Sequence, residues 1–131
     1  MFTNILVVGL GGFFGAIARF LISGWVQNLF SKSVFPFGTL SVNMLGCLVI
    51  GLLFGLSQYL GDVLTPRGKL LLITGFLGAL TTFSTFGHET FELIQDNEIL
   101  LAFANVGIQI VFGLFAVWIG YYLSYLISLF R

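Results

Sequence analysis

Apolar residues fall into four long runs, broken only by glycines, hydroxyls and single amides and separated by short polar stretches. A run of about 20 such residues, wound as an α-helix, matches the hydrocarbon core of a bilayer. The pattern predicts helices over about 3–27, 37–60, 68–96 and 99–130, with loops around 28–36 and 61–69. Small residues recur at a spacing of four, Gly11 with Gly15 and Gly51 with Gly55, which lets neighbouring helices approach closely. Pro36 suits the first turn of the second helix, where its missing N–H costs nothing.

The third run departs from this pattern at Gly78-Ala-Leu-Thr-Thr-Phe-Ser-Thr-Phe86, where Thr81, Thr82, Ser84 and Thr85 crowd into five positions. Hydroxyl side chains compete for the backbone's own hydrogen bonds, and threonine is stiff at χ1 in a helix. A break is expected near 78–84, framed by Phe83 and Phe86, with a half-helix on either side. Backbone freed at membrane depth has to be met by protein, water or an ion, so something small and charged is expected to be handled here. The plainer alternative is a kink whose hydroxyls bond back to the preceding turn.

Composition turns this pattern into a class. The 131 residues are 58% hydrophobic and 8% charged, with mean hydropathy +1.08, whereas soluble domains carry about 25% charged residues. The expectation is an all-α integral membrane protein, one domain over 1–131, multi-pass in the cell (inner) membrane. Lys+Arg 5 and Asp+Glu 5 cancel, leaving no basic patch for nucleic acid. Cys47 is the only cysteine, which excludes a disulfide framework or thiol metal cluster; it reads as a small apolar filler. The string His88-Glu89-Thr-Phe-Glu92 lacks the second histidine of a zinc-protease helix, and no enzyme is expected. The N-terminus lacks the basic region of a signal peptide, so the first helix is expected to remain in the mature protein.

Four spans place both termini on one side, with Arg67, Lys69 and Arg131, against Lys32, plus Arg19 if it reaches toward that end, on the other. Three against two is a weak bias under the positive-inside rule. A weak N-in preference and insertion in both directions are the two readings. Oppositely inserted copies would form an antiparallel homodimer.

Several side chains are candidates for chemistry. Asn43 is costly in hydrocarbon unless hydrogen-bonded; it is either interhelical glue or a donor to an anion. Phe83 and Phe86 either pack or present positive ring edges to an anion. Ser84 and Thr85 can donate hydroxyl protons, and freed carbonyls at Gly78 and Thr81 suit a hard cation. Asn105, Gln109 and Gly113 form a polar or small stripe on the fourth helix, and Thr39 shares a face with Asn43. Arg19 at depth is a functional candidate whose stem can also snorkel to the interface. Glu89 is a gate, a proton relay or a helix-end carboxylate in water, and His88 reaches the interface or bonds a neighbour.

Gly38-Thr-Leu-Ser-Val-Asn43, together with Thr74-Gly-Phe-Leu-Gly-Ala-Leu-Thr-Thr-Phe-Ser-Thr-Phe86 and Glu89, resembles the Fluc family of small fluoride channels. Gly12 to Arg19 fits as well, and the resemblance covers essentially the whole chain. It implies an antiparallel, dual-topology homodimer with two fluoride pores, four helices per subunit and a third helix broken at mid-membrane. By the same resemblance, Asn43 would donate its N–H in the pore. Phe83 and Phe86 would present ring edges, with Ser84, Thr85 and Thr39 along the path. Carbonyls of Gly78 and Thr81 from both chains would hold a structural Na⁺ at the dimer centre. Arg19 would sit at a vestibule and Glu89 near the pore's end. Two departures stand out. The amides Asn105 and Gln109 replace hydroxyl-bearing or small residues as a possible polar track, and Ala79 stands where a second glycine is common.

The function implied is passive fluoride export from the cytoplasm, conferring fluoride resistance. The alternative is a proton-coupled small multidrug or cation exporter, also of four spans. That class needs a carboxylate deep in its first helix, where this chain has Arg19. A non-transporting scaffold is the third class.

Overall fold

The computed structural model describes residues 1–130; Arg131, counted above among the charges near the termini, lies outside them. Its elements are α1 (Phe2–Leu29), α2 (Phe37–Leu60), α3 (66–80), α4 (Phe83–Gln95) and α5 (Ile99–Ser128). Together, α3 and α4 make one span, Pro66–Gln95, and all four spans are long and apolar enough to cross a membrane. The all-helical membrane class expected from the hydrophobic runs is the one found.

The third span begins slightly earlier than its apolar run. Thr65 caps it by accepting from the Gly68 N–H at 3.1 Å, with Pro66 in the first turn, where a missing N–H is harmless. Residues Leu70–Leu77 then wind as a wide π-helix before Gly78–Leu80 return to α geometry. Thr81 (φ −84°, ψ 156°) and Thr82 (φ −151°, ψ 114°) are extended. The break is therefore two residues wide, narrower than 78–84. The Thr82 hydroxyl accepts from the Thr85 N–H at 3.2 Å and restarts the helix at once. Phe83 and Phe86 consequently both follow the break instead of flanking it.

Glycines set how closely the spans approach. A methyl group on Gly11 would collide with the Leu71 carbonyl, and one on Gly15 with that of Phe76, so α1 lies directly on the π stretch. Between α2 and α5 the fit is reciprocal, with Gly51 against the Val117 carbonyl and Gly120 against that of Leu48. Such backbone-to-backbone contact is how helices associate in lipid, where apolar side chains gain nothing by turning inward. The apolar core around the break is accordingly small: Val42, Leu77 and Leu80, with Ala18, Ile22 and Phe76 packed against it. Large side chains such as Phe20, Leu100 and Leu114 face outward.

Side chains also fix the connections. Gln27 donates to the carbonyls of Ser33 (3.4 Å) and Phe35 (3.3 Å) and accepts from the Gly38 N–H (3.0 Å), tying the first loop to the start of α2. Pro36 sits immediately before that helix. At the end of α4, Asn97 adopts a left-handed φ of 62°. The Asn97 and Glu98 N–H groups return to Ile94 and Leu93, a Schellman stop. Lys69 donates to Asp62 at 2.6 Å, which holds that exposed carboxyl below its usual range.

Candidate functional site

Everything at the break depends on Asn43. Its Oδ1 accepts from the Thr82 N–H at 2.9 Å, and its Nδ2 donates to the Thr82 carbonyl at 3.3 Å and to Gln109 Oε1 at 3.1 Å. The extended backbone is thus held as a neighbouring strand would hold it, by one side-chain amide. A backbone N–H can only meet an oxygen, so the orientation of Asn43 is fixed, and Gln109 must present its own oxygen in turn. Both N–H groups of Asn43 are engaged by protein. Gln109 Nε2 is left buried with no hydrogen-bond partner among the described residues.

This clamp has a consequence for two carbonyls. In a continuous helix Gly78 would accept from the Thr82 N–H and Thr81 from the Thr85 N–H. The first of these donors goes to Asn43 and the second to the Thr82 hydroxyl, so both carbonyls lose their helical partners. Thr81 does bond back to the preceding turn, its hydroxyl donating to the Leu77 carbonyl at 3.0 Å. The plainer kink reading thus describes one residue of the break. Thr82 Oγ1 lies 3.3 Å from Ser84 Oγ and 2.9 Å from Thr85 Oγ1. Three hydroxyls carry three protons, and two contacts consume two. One O–H remains for a guest.

Two cavities meet at this wall. One, of about 420 Å³, is lined by Gly78, Thr81, Phe83, Phe86, Gln109 and Asn43. Phe83 is 82% exposed, and its ring centre lies 5.4 Å from that of Phe86 at 58°. The other is lined by Arg19, Ser23, Thr39 and Thr85, and Thr82 belongs to both. Ser23, Thr39 and Thr85 continue into a third, polar cavity that includes Glu89. A Thr39 hydroxyl donates to Glu89 Oε1 at 2.6 Å, while Oε2 is buried and unpartnered. Glu89 is therefore no helix-end carboxylate in water. Arg19 is half-buried and, among the described residues, has no carboxylate within ion-pair distance. His88 pairs with Glu92 at 3.3 Å on the exposed face.

The structure thus gathers Asn43, Phe83, Phe86, Gln109, Gly78 and Thr81 on one cavity and Arg19, Thr39 and Thr85 on a second, with Thr39 and Thr85 shared with the third cavity that holds Glu89. Ser84, on the exposed side of α4, joins them through Thr82. Asn105 stands one turn from Gln109, fully buried.

A family model described as CrcB-like protein, Camphor Resistance (CrcB), matches residues 6–121. The chain belongs to the CrcB-like family. The chain is 50% identical over 110 residues to a fluoride-specific ion channel FluC of Nitratiruptor sp., covering 84% of this chain and 83% of that one. It is 43% identical over 117 residues to FluC 1 of Methanosarcina acetivorans, covering 89% and 87%. Against the FluC of Shewanella woodyi it is 46% identical over 117 residues, covering 89% and 92%. The resemblance carried by Asn43 and the 74–86 motif is borne out, and the exporter alternative is not favoured. The CrcB-like chain is a multi-pass membrane protein.

Sequence reasoning passed over two residues of this site. Thr82 is its hub, and a threonine directly before a helical restart is the signal that marks such a cap. Thr90 accepts from Asn105 Nδ2 at 2.9 Å; no local pattern points to it.

Proposed function

We propose that this CrcB-like chain is a fluoride-selective channel that carries fluoride passively out of the cytoplasm, working as an antiparallel homodimer with two pores. The observation that carries the reading is its likeness, over most of both chains, to relatives named fluoride-specific ion channels. The chemistry of the break supports it. Fluoride is small and strongly hydrated, so a pore has to replace its water with comparable donors while holding it loosely enough to leave. Gln109, whose side chain lines the cavity beside Thr82, keeps an unpartnered amide N–H beneath its surface, and a hydroxyl proton is spare among Thr82, Ser84 and Thr85, so the donors near the path are uncharged. Phe83 and Phe86 add ring edges of partial positive charge. Asn43 holds the break and orients Gln109. Arg19 draws anions toward the adjoining cavity without sitting at the constriction, where a full positive charge would trap them. Thr39 joins that cavity to the next, where Glu89 lies.

The expected result is electrogenic fluoride efflux from liposomes containing the purified protein, with chloride excluded. Chloride current of similar size would sink the reading, and so would a flux that stops when a pH gradient is dissipated.

The homodimer and its Na⁺ belong to the same proposal. Two carbonyls stripped of helical partners are hard oxygen donors, which suit Na⁺, so Gly78 and Thr81 fit as one subunit's share of the site. When bound, the ion would supply positive potential beside the anion paths. Replacing sodium with choline in detergent is expected to shift the protein from dimer toward monomer. A dimer indifferent to sodium would remove the ion, and a monomer in both conditions would remove the dimer.

A further inference from the structure

The peptide that joins Thr81 to Thr82 faces two ways. Its N–H is given to Asn43 Oδ1 at 2.9 Å, and in a planar trans peptide the carbonyl points opposite to the N–H. The Thr81 carbonyl is therefore turned away from Asn43, while the Thr85 N–H that a continuous helix would bring to it goes to the Thr82 hydroxyl. Asn43 grips only the Thr82 side of this peptide. A second hold is needed on the Thr81 side, and α2 supplies it one turn along, at Gly46.

Gly46 lines the same cavity as Asn43, Gly78 and Thr81. A methyl group on Gly46 would collide with Cγ2 of Thr81, and no other residue of a neighbouring element lies within 4 Å of it. The missing Cβ is thus a socket for one methyl group. On its other side Thr81 is held by its hydroxyl, which donates to the Leu77 carbonyl at 3.0 Å. The three substituents of Thr81 Cβ therefore have assigned places, the methyl on Gly46, the hydroxyl on Leu77 and the hydrogen in the third. Turning χ1 by one staggered well puts the hydroxyl into the socket, which an added Cβ would still block. Turning it the other way clears the socket but presses the methyl onto the Leu77 carbonyl. With a Cβ at position 46, the main chain of Thr81 has to give way.

We propose that Gly46 is a positioning residue for the Na⁺ site: by seating the Thr81 methyl it completes the hold that Asn43 begins, and together they aim the Thr81 carbonyl. Gly46 supplies no ligand atom. It acts as groups behind a metal ligand do, by fixing the orientation in which the ligand oxygen is offered, and such groups weigh heavily on metal affinity. The two residues stand three apart on α2, so one helix face sets both ends of the peptide. That peptide then serves both ions, its N–H end through Asn43 and Gln109 on the anion cavity and its carbonyl end at the cation. The inference rests on the sodium-linked dimer proposed above and deepens it.

The test is the fraction of dimer in detergent as sodium is titrated against choline at constant ionic strength. Gly46→Ala is expected to raise the sodium concentration at the midpoint by about tenfold or more, the usual weight of a lost orienting group at a metal site. At saturating sodium it is expected to regain the full dimer. Adding Thr81→Ser removes the colliding methyl while keeping the hydroxyl and the main-chain carbonyl, so the double variant is expected to return to the wild-type midpoint. A wild-type midpoint in Gly46→Ala overturns this inference alone, and so does a raised midpoint that the serine fails to lower. A loss of dimer that persists at every sodium concentration marks general destabilisation and overturns it too. A wild-type dimer indifferent to sodium overturns the sodium reading and this inference with it. Should Gly46→Ala not fold by itself, the double variant decides. Folded protein with the wild-type midpoint supports the socket, and a double variant that fails to fold, or folds with a raised midpoint, overturns it.

Discussion

Asn43→Leu is expected to abolish fluoride flux and to destabilise the protein by about 2–6 kcal/mol, the sum of two buried backbone groups left unsatisfied. Thr82 is 8% exposed, so its N–H and carbonyl cannot turn to water when Asn43 Oδ1 and Nδ2 are removed. Gln109 loses its partner at the same stroke and with it the orientation that this hydrogen bond fixes. Asn43→Asp separates these effects. The carboxylate still accepts from Thr82 N–H but has no proton for the Thr82 carbonyl or Gln109, so an intermediate loss of stability with full loss of flux is expected. Thermal unfolding in detergent and efflux from liposomes, measured on the same preparations, give the two readouts. A leucine variant as stable as wild type, silent only in flux, would assign Asn43 to the ion instead of the backbone.

How much of this was legible beforehand follows from where each instruction is written. The four spans are properties of composition, and apolar runs between Phe2 and Ser128 declare them without regard to partners. Close contact at Gly11, Gly15 and Gly51 is likewise declared by spacing, because a missing Cβ has the same meaning wherever the helix meets another. The break is half legible. Crowded hydroxyls mark its place, but its width depends on Thr82 capping the next half-helix, which the letters Thr-Thr-Phe-Ser-Thr permit at more than one position. The start at Pro66 was readable from Thr65-Pro66 and is hidden only if apolar residues alone are counted. The π stretch at Leu70–Leu77 has no local mark, since Leu70–Ile73 and the Thr-Gly-Phe-Leu that follows fit either hydrogen-bond register.

The amides were the least legible. Asn43 meets Thr82 and Gln109, and Asn105 meets Thr90, on other elements. Which end of an amide is left free depends on whether its neighbour has a proton to give. Thr90, whose proton goes to the Phe86 carbonyl, has none to spare and Thr82 N–H has one that must be given, so Asn105 and Asn43 turn opposite ends to their partners. Composition places an amide at a level in the membrane, and only the tertiary contacts choose between donor and acceptor.

The same division between holding the fold and meeting the ion makes Phe83→Ile the sharpest remaining test. Phe83 touches little of the chain: it is 82% exposed, and its one aromatic neighbour among the described residues is Phe86. Truncations at such positions change stability by about 0.5 kcal/mol or less, so the folded subunit is expected to tolerate isoleucine. Fluoride flux is expected to fall about tenfold or more. That drop asks the ring edge for about 1.4 kcal/mol of the barrier, within the range that desolvated aromatic electrostatics supplies. Isoleucine fills similar space without a quadrupole, so the substitution removes charge distribution while largely keeping volume. Liposome efflux normalised to the amount of folded protein reads the result. If the isoleucine variant conducts as wild type does, the exposed ring is a packing surface, and the anion path has to be sought along Arg19, Thr39 and Thr85 instead.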